Sequence, residues 1–179
     1  FSRDCCWVYS GSCTFVNMIK NIFKIAKEVV DLASFNKVLI ASAESCTGGM
    51  LSSAITSVPG SSVIFDCGFI TYSNNSKMKL LNVNEDTLNC YGAVSEETAS
   101  EMAYGAISNS KANLAISITG IAGPGSSNTK PEGMVCFSIV LEKEIKLSET
   151  KKWGALGRDQ VRQKATLHGL KILSKTLQL

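Results

Sequence analysis

The sequence predicts an α/β domain, a three-layer α/β/α sandwich on a mixed, mostly parallel sheet. Apolar residues recur at helical spacing near both ends of the chain. Short unbroken apolar runs of strand length lie between them, and two of these runs end in turns rich in glycine and hydroxyl groups. A chain of 179 residues is the size of one domain and can bury roughly 70% of its unfolded surface, enough for a core without staples.

Residues 1–17, FSRDCCWVYSGSCTFVN, carry no initiating Met, and Asp4, Ser10, Gly11 and Ser12 interrupt any signal-peptide pattern. They are expected to be a non-native or disordered extension, with Met18 as the natural start of a domain spanning 18–179. From Ile19, the residues Ile22, Phe23, Ala26, Val29, Val30 and Ala33 fall on one face of a helix. Val38 to Ala43 is a nearly continuous apolar run, as in a strand buried on both faces, and it ends in Glu44-Ser45-Cys46-Thr47-Gly48-Gly49. A short helix over Met50 to Thr56 follows, Pro59-Gly60 breaks the chain, and Val63 to Thr71 reads as a second core strand.

Asn74-Asn75 opens a short polar helix. Ser95 is a good helix N-cap, Glu96 and Glu97 suit the positive end of the dipole, and Ala99, Met102, Ala103 and Ala106 form a buried stripe. Leu114 to Ile118 is another central strand, followed by the loop Thr119 to Gly133. Met134 to Leu141 then pairs with about Glu144 to Thr150 as an antiparallel edge. A last helix, from about Asp159 to Leu177, turns Val161, Ala165, Ile172 and Leu173 inward.

Composition excludes several classes. Hydrophobic residues make up 45% and charged residues 18%, and no apolar run approaches the roughly 20 residues of a membrane span, so no membrane association is expected. The net charge of +3 is scattered, which gives no footprint for nucleic acid but suits a small anionic ligand. Seven cysteines, at 5, 6, 13, 46, 67, 90 and 136, form no Cys-x-x-Cys pair and have no histidine at ligand spacing. They predict neither a zinc site nor a disulfide framework, and fit the reducing cytoplasm.

The loops Glu44 to Gly49 and Thr119 to Gly125 both follow core strands, where open α/β sheets bind ligands. Glycines there let backbone approach a ligand, and the helix start after Gly48 and Gly49 can offer N–H groups to a phosphate or a developing oxyanion. Neither loop matches a known phosphate-binding fingerprint, so spacing alone leaves open that both are turns that simply need glycine.

Three segments, AESCTGGMLSSAITSVPGSSVIFDCGFITYSNNSK, GAVSEETASEMAYGA and ITGIAGPG, resemble the CinA C-terminal family in order and spacing, over about Ile19 to Leu177. The resemblance implies an α/β/α nicotinamide-nucleotide amidase. Such an enzyme converts nicotinamide mononucleotide to nicotinate mononucleotide and ammonia through a serine acyl enzyme, with no cofactor or metal. It implies Ser45 as nucleophile, Lys77 as base and Ser62 as a proton relay between them. Tyr72, Thr119 and Arg158 fall on substrate-binding positions, Arg158 pairing with the phosphate, while Gly48, Gly49 and Gly120 supply backbone contacts.

His168, the single histidine, sits near the apolar stripe of the last helix and reads as a packed or surface residue. Arg162 reads as a solvated helix residue. Two departures from the family pattern stand out: where the family loop continues after its Gly-Pro with glycines and acidic residues before Lys-Pro-Val-Gly, this chain reads Gly125-Ser126-Ser127-Asn128-Thr129-Lys130-Pro131-Glu132-Gly133, and Leu156-Gly157-Arg158 lacks the acidic neighbour of the arginine. A homodimer is the expected assembly. The rival expectation is an inactive nucleotide- or partner-binding module tied to competence and DNA damage, as the family's name implies.

Overall fold

The computed structural model describes residues 10–127 and 130–178. It contains α1 (Ser10–Asn36), β1 (Ile40–Glu44), α2 (Met50–Thr56), a 3-10 turn (Ser61–Val63), β2 (Phe65–Ile70), α3 (Asn74–Leu81), α4 (Glu85–Tyr91), α5 (Glu96–Ser108), β3 (Leu114–Gly120), β4 (Met134–Leu141), β5 (Glu144–Lys152) and α6 (Arg158–Leu177). The five strands form one sheet in the order β2-β1-β3-β4-β5. β1 runs parallel to both β2 and β3, whereas β3–β4 and β4–β5 are antiparallel. Parallel pairing is thus confined to β2-β1-β3, and the sheet divides evenly between the two kinds of ladder. The long loop after β3 returns directly into β4, and without a crossover helix a neighbouring strand must run antiparallel.

Both faces of the sheet are covered, which explains the unbroken apolar strands. On one face Leu114, Ile116 and Ile118 of β3 and Phe137 and Ile139 of β4 pack against α1, α2 and α6 through Ala26, Leu51, Ala165 and Leu173. On the other, the alanines 41, 43 and 115 meet Met102, Ala103 and Ala106 of α5, with Leu81 and Leu88 from α3 and α4. Small side chains bring α5 close, and at Gly105 an added Cβ would lie 2.0 Å from the Leu81 carbonyl oxygen.

The structure corrects the sequence reading at three places. β2 is an edge strand with alternating burial, and Val63, expected inside it, lies in the 3-10 turn at 70% exposure. A strand with one neighbour keeps the period of two that a central strand loses. α4 was not anticipated, because only Leu88 of its seven residues is buried and no apolar period marks it. Phe23 sits at the margin of the α1 stripe and is half exposed. α1 runs unbroken from Ser10 through Met18, and residues 1–9 of the expected extension lie outside the described residues.

Candidate active site

The chain leaves β1 for β2 on one side and later places β3 on the other, so the strand order reverses at β1. Segments leaving neighbouring strands there diverge to opposite faces and open a crevice at the carboxyl ends. Backbone bonds hold the crevice floor: Ser45 N–H donates to Ile118 O at 2.9 Å, and Thr71 N–H to Glu44 O at 2.9 Å. Ser45, Tyr72 and Thr119, each just beyond or at the end of a different strand, therefore converge on one cavity of about 340 Å³.

α3 brings the base. Ser73 caps it, its Oγ accepting from Ser76 N–H at 3.1 Å while Ser76 Oγ accepts from Ser73 N–H at 3.1 Å. One residue later Lys77 points inward and is 1% exposed. Its Nζ donates to Ser45 Oγ at 3.1 Å and to Thr71 O at 2.7 Å. Among the described residues no carboxylate lies within ion-pair distance of that amine. Burial without a counter-charge disfavours the ammonium form and lowers the Lys77 pKa from 10.5 to about 8. The solvated lysine usual at a polar helix start is not what forms here.

The loop carrying Ser45 is held from two sides by residues that the sequence reading gave no role. The fully buried Glu44 carboxylate accepts from the amides of Gly49 (3.0 Å), Leu51 (3.1 Å) and Ser52 (2.9 Å) and from Ser52 Oγ (2.6 Å). It thereby caps α2, whose N-cap residue Gly49 has no side chain to do so. From the other side Arg162 donates through Nε to Cys46 O and through Nη2 to Thr47 O, both at 3.1 Å, so it is not the solvated residue expected. Neither role shows in a pattern of spacing: Glu44 reads as the polar end of a strand, and Arg162 as one more charge on a helix. Cys46, beside Ser45, is buried, and desolvation pushes its thiol up to about 12, which keeps it protonated and unreactive.

Three residues expected at the site lie elsewhere. Gly48 and Gly49 are left-handed, but the Gly48 amide donates to Ser45 O and the Gly49 amide to Glu44. The start of α2 is thus already occupied by an internal anion, and neither glycine lines the cavity. Ser62 is exposed in the 3-10 turn that precedes β2, whereas the cavity lies beyond the opposite end of that strand, roughly 15 Å away at about 3.3 Å per residue. It cannot relay a proton, and the 3.1 Å contact between Ser45 and Lys77 requires no relay.

The other expected residues meet at the cavity. Thr119 is buried and donates to Ala93 O at 2.6 Å, leaving its lone pairs available. Gly120 forms wall where an added Cβ would strike Val135 at 2.6 Å. Tyr72 and Arg158 form the rim: Arg158 Nη2 donates to Tyr72 Oη at 2.7 Å and Nη1 to Gly123 O at 2.9 Å. His168 is remote from Ser45. It contacts Glu149 at 2.5 Å and packs edge-on against Phe137 and Trp153, the packed role expected of it. Among the described residues no three His, Cys, Asp or Glu side chains cluster as metal ligands, and no helix is long and apolar enough to cross a membrane.

Comparison with known proteins decides the family. The model of the CinA C-terminal domain matches residues 22–177. The chain belongs to the CinA C-terminal domain family. Relatives include a CinA-like protein of Syntrophobacter fumaroxidans, 46% identical over 139 residues (77% of this chain, 32% of the relative), and one of Endomicrobium trichonymphae, 42% identical over 171 residues (91% and 39%). The chain therefore spans about a third of the length of these CinA relatives. Among solved structures, a competence/damage inducible protein CihA from Agrobacterium tumefaciens superposes with a TM-score of 0.84 at 37% identity, covering 89% of this chain and 96% of that one. The competence damage-inducible protein A of Klebsiella pneumoniae gives 0.85 at 29% identity, covering 88% and 97%. The α/β fold is that of the CinA structures.

Proposed function

We propose that this CinA domain is an amidohydrolase that converts nicotinamide mononucleotide to nicotinate mononucleotide and ammonia through an acyl enzyme on Ser45. The observation that carries the reading is the buried Lys77 amine, 3.1 Å from Ser45 Oγ and, among the described residues, without a carboxylate partner. A serine hydroxyl is a weak nucleophile until a base takes its proton. An amine lowered to about 8 is partly neutral at working pH and still basic enough to do so.

Ser45 Oγ attacks the carboxamide carbon and its proton passes to Lys77 Nζ. The tetrahedral oxyanion is held by backbone N–H groups of the cavity wall. We assign the Cys46 amide, because Cys46 lines the cavity next to Ser45 whereas Thr47 does not, and the amides of Ser45, Gly48 and Gly49 are committed to Ile118, Ser45 and Glu44. Lys77 returns the proton to the departing nitrogen, ammonia leaves, and an ester on Ser45 remains. A water then gives a proton to Lys77 and its oxygen to the acyl carbon, the bond to Ser45 Oγ breaks as Lys77 passes that proton to Oγ, and the acid formed leaves as the carboxylate, its proton going to solvent.

The mononucleotide substrate is supported by the family motifs and by the cavity's chemistry. At about 340 Å³ it falls in the size range of small-molecule sites, about 300–1,000 Å³. The Arg158 fork, on the same cavity as Ser45, suits a phosphate. The test is ammonia release from nicotinamide mononucleotide by wild type and Ser45→Ala, with nicotinamide riboside alongside. Release that requires Ser45 and favours the phosphorylated substrate supports the reading. A folded wild type that binds the nucleotide without releasing ammonia refutes it in favour of a binding module.

A further inference from the structure

Glu132 joins the two walls of the phosphate end of the cavity. Its carboxylate accepts from the Gly125 amide at 2.6 Å through Oε2 and from the Gly157 amide at 3.0 Å through Oε1. Gly125 belongs to the loop that walls the cavity, and Gly157 is the N-cap residue of α6, immediately before Arg158. Arg158 in turn donates to Gly123 O in the same loop, which closes a ring of bonds running Glu132, Gly157, Arg158, Gly123, Gly125 and back to Glu132. Glu132 also packs directly on Gly123, where an added Cβ would lie 2.5 Å from its carboxyl carbon.

The base of this ring is fixed. Gly133 N–H donates to Ile121 O at 2.8 Å, Ile121 N–H to Met134 O at 2.8 Å and Trp153 N–H to Gly133 O at 3.0 Å. An added Cβ on Gly133 would sit 2.1 Å from the Gly154 carbonyl oxygen, so the backbone there is packed against β5's exit. By contrast, the two amides that donate to Glu132 belong to exposed glycines at positive φ, and among the described residues neither amide has another acceptor. A single carboxylate on a rigid platform thus sets the distance between two compliant walls.

We propose that Glu132 is a positioning residue that latches the 121–127 loop to the start of α6, and so holds Arg158 at the height needed to grip a phosphorylated ligand. Glu132 does not touch the reacting atoms. It acts through Arg158, and its loss weakens binding at the phosphate end without altering the chemistry at Ser45. The carboxylate is required, because an amide has only one oxygen to accept with, and its NH₂ would face the second N–H.

The substrate part of this inference rests on the amidase reading, so the test has two arms. In the first, Glu132→Gln raises KM for nicotinamide mononucleotide about tenfold, as expected from one lost charge-assisted hydrogen bond, leaves kcat within about twofold, and leaves kcat/KM for nicotinamide riboside unchanged. In the second, hydrogen exchange speeds up in peptides spanning 120–127 and 154–160 but not in β1 or β3, and the affinity for ribose 5-phosphate falls by a similar factor. Unchanged exchange in those peptides overturns the latch whatever the activity shows, as does an equal loss of kcat on both substrates. If wild type releases no ammonia, the amidase reading falls while exchange and ribose 5-phosphate binding still decide the latch.

Discussion

Replacing Lys77 by Met separates the cost of the buried amine from its use. The native pKa of about 8 against an ordinary 10.5 means that keeping the proton at neutral pH costs the folded state about 3 kcal/mol. The methionine chain fills a similar volume and carries no charge. It leaves the Thr71 carbonyl and the Ser45 hydroxyl without their partner, a loss of about 1–3 kcal/mol that offsets much of the gain at pH 7. The pH dependence is cleaner than the absolute difference. Between the native value near 8 and the unfolded value near 10.5 the unfolded chain binds more protons, so wild-type stability rises through that window while this contribution is absent from the variant. Urea unfolding of both proteins from pH 7 to 10.5 should show wild type gaining about 3 kcal/mol relative to Lys77→Met, with kcat in the variant down about 10³-fold. A stability difference flat in pH would refute the claim that burial has lowered the pKa, and near-normal turnover would refute the role of the amine.

Other consequences follow from the same geometry. For wild type, kcat/KM should rise with pH and level off above an apparent pKa near 8, since the base acts when neutral; a profile flat from pH 6 to 9 would exclude Lys77 as that base. Ser62→Ala, on the exposed turn, should keep kcat and KM within about twofold of wild type, and a large drop in steady-state rates would restore the relay. Glu44→Gln should lower stability by about 2–3 kcal/mol in denaturant unfolding, because a buried amide cannot accept from three N–H groups and a hydroxyl at once; an unchanged midpoint would show that the carboxylate does not organise the Ser45 loop. Arg158→Ala should raise KM for the mononucleotide about tenfold or more with little effect on nicotinamide riboside, and equal effects on both would move the phosphate elsewhere.

Long periodic or unbroken apolar segments revealed the layers: α1, β1, β3, α5 and α6 all lie where their patterns place them, because burial on a helix face or a central strand leaves a period or a run. The apolar residues Val63, Ile64 and Phe65 made β2 read as a core strand, although alternation sets in only from Phe65, where Asp66 and Gly68 are exposed. The antiparallel β3–β4 pair was equally hidden, since direction depends on where a long loop returns. At the site, Ser45 and Lys77 are 32 residues apart and meet because β1 ends beside the first turn of α3. Their separate motifs named them, but only the fold explains why the lysine is buried. The glycines at 48 and 49 misled because a glycine-rich helix start looks like an anion site from sequence, while the anion that fills it, Glu44, lies on the preceding strand. Glu132 and Arg162 act through backbone amides and carbonyls, which no side-chain motif records.

The most direct test of the Ser45 acyl enzyme is partitioning with hydroxylamine during turnover of nicotinamide mononucleotide. An ester on Ser45 predicts that the hydroxamate of the nucleotide forms at the expense of nicotinate mononucleotide, in a ratio that climbs with hydroxylamine concentration, while ammonia release is not slowed. Ammonia released with nicotinate mononucleotide as the sole product at every hydroxylamine concentration would contradict it and point to direct attack by water.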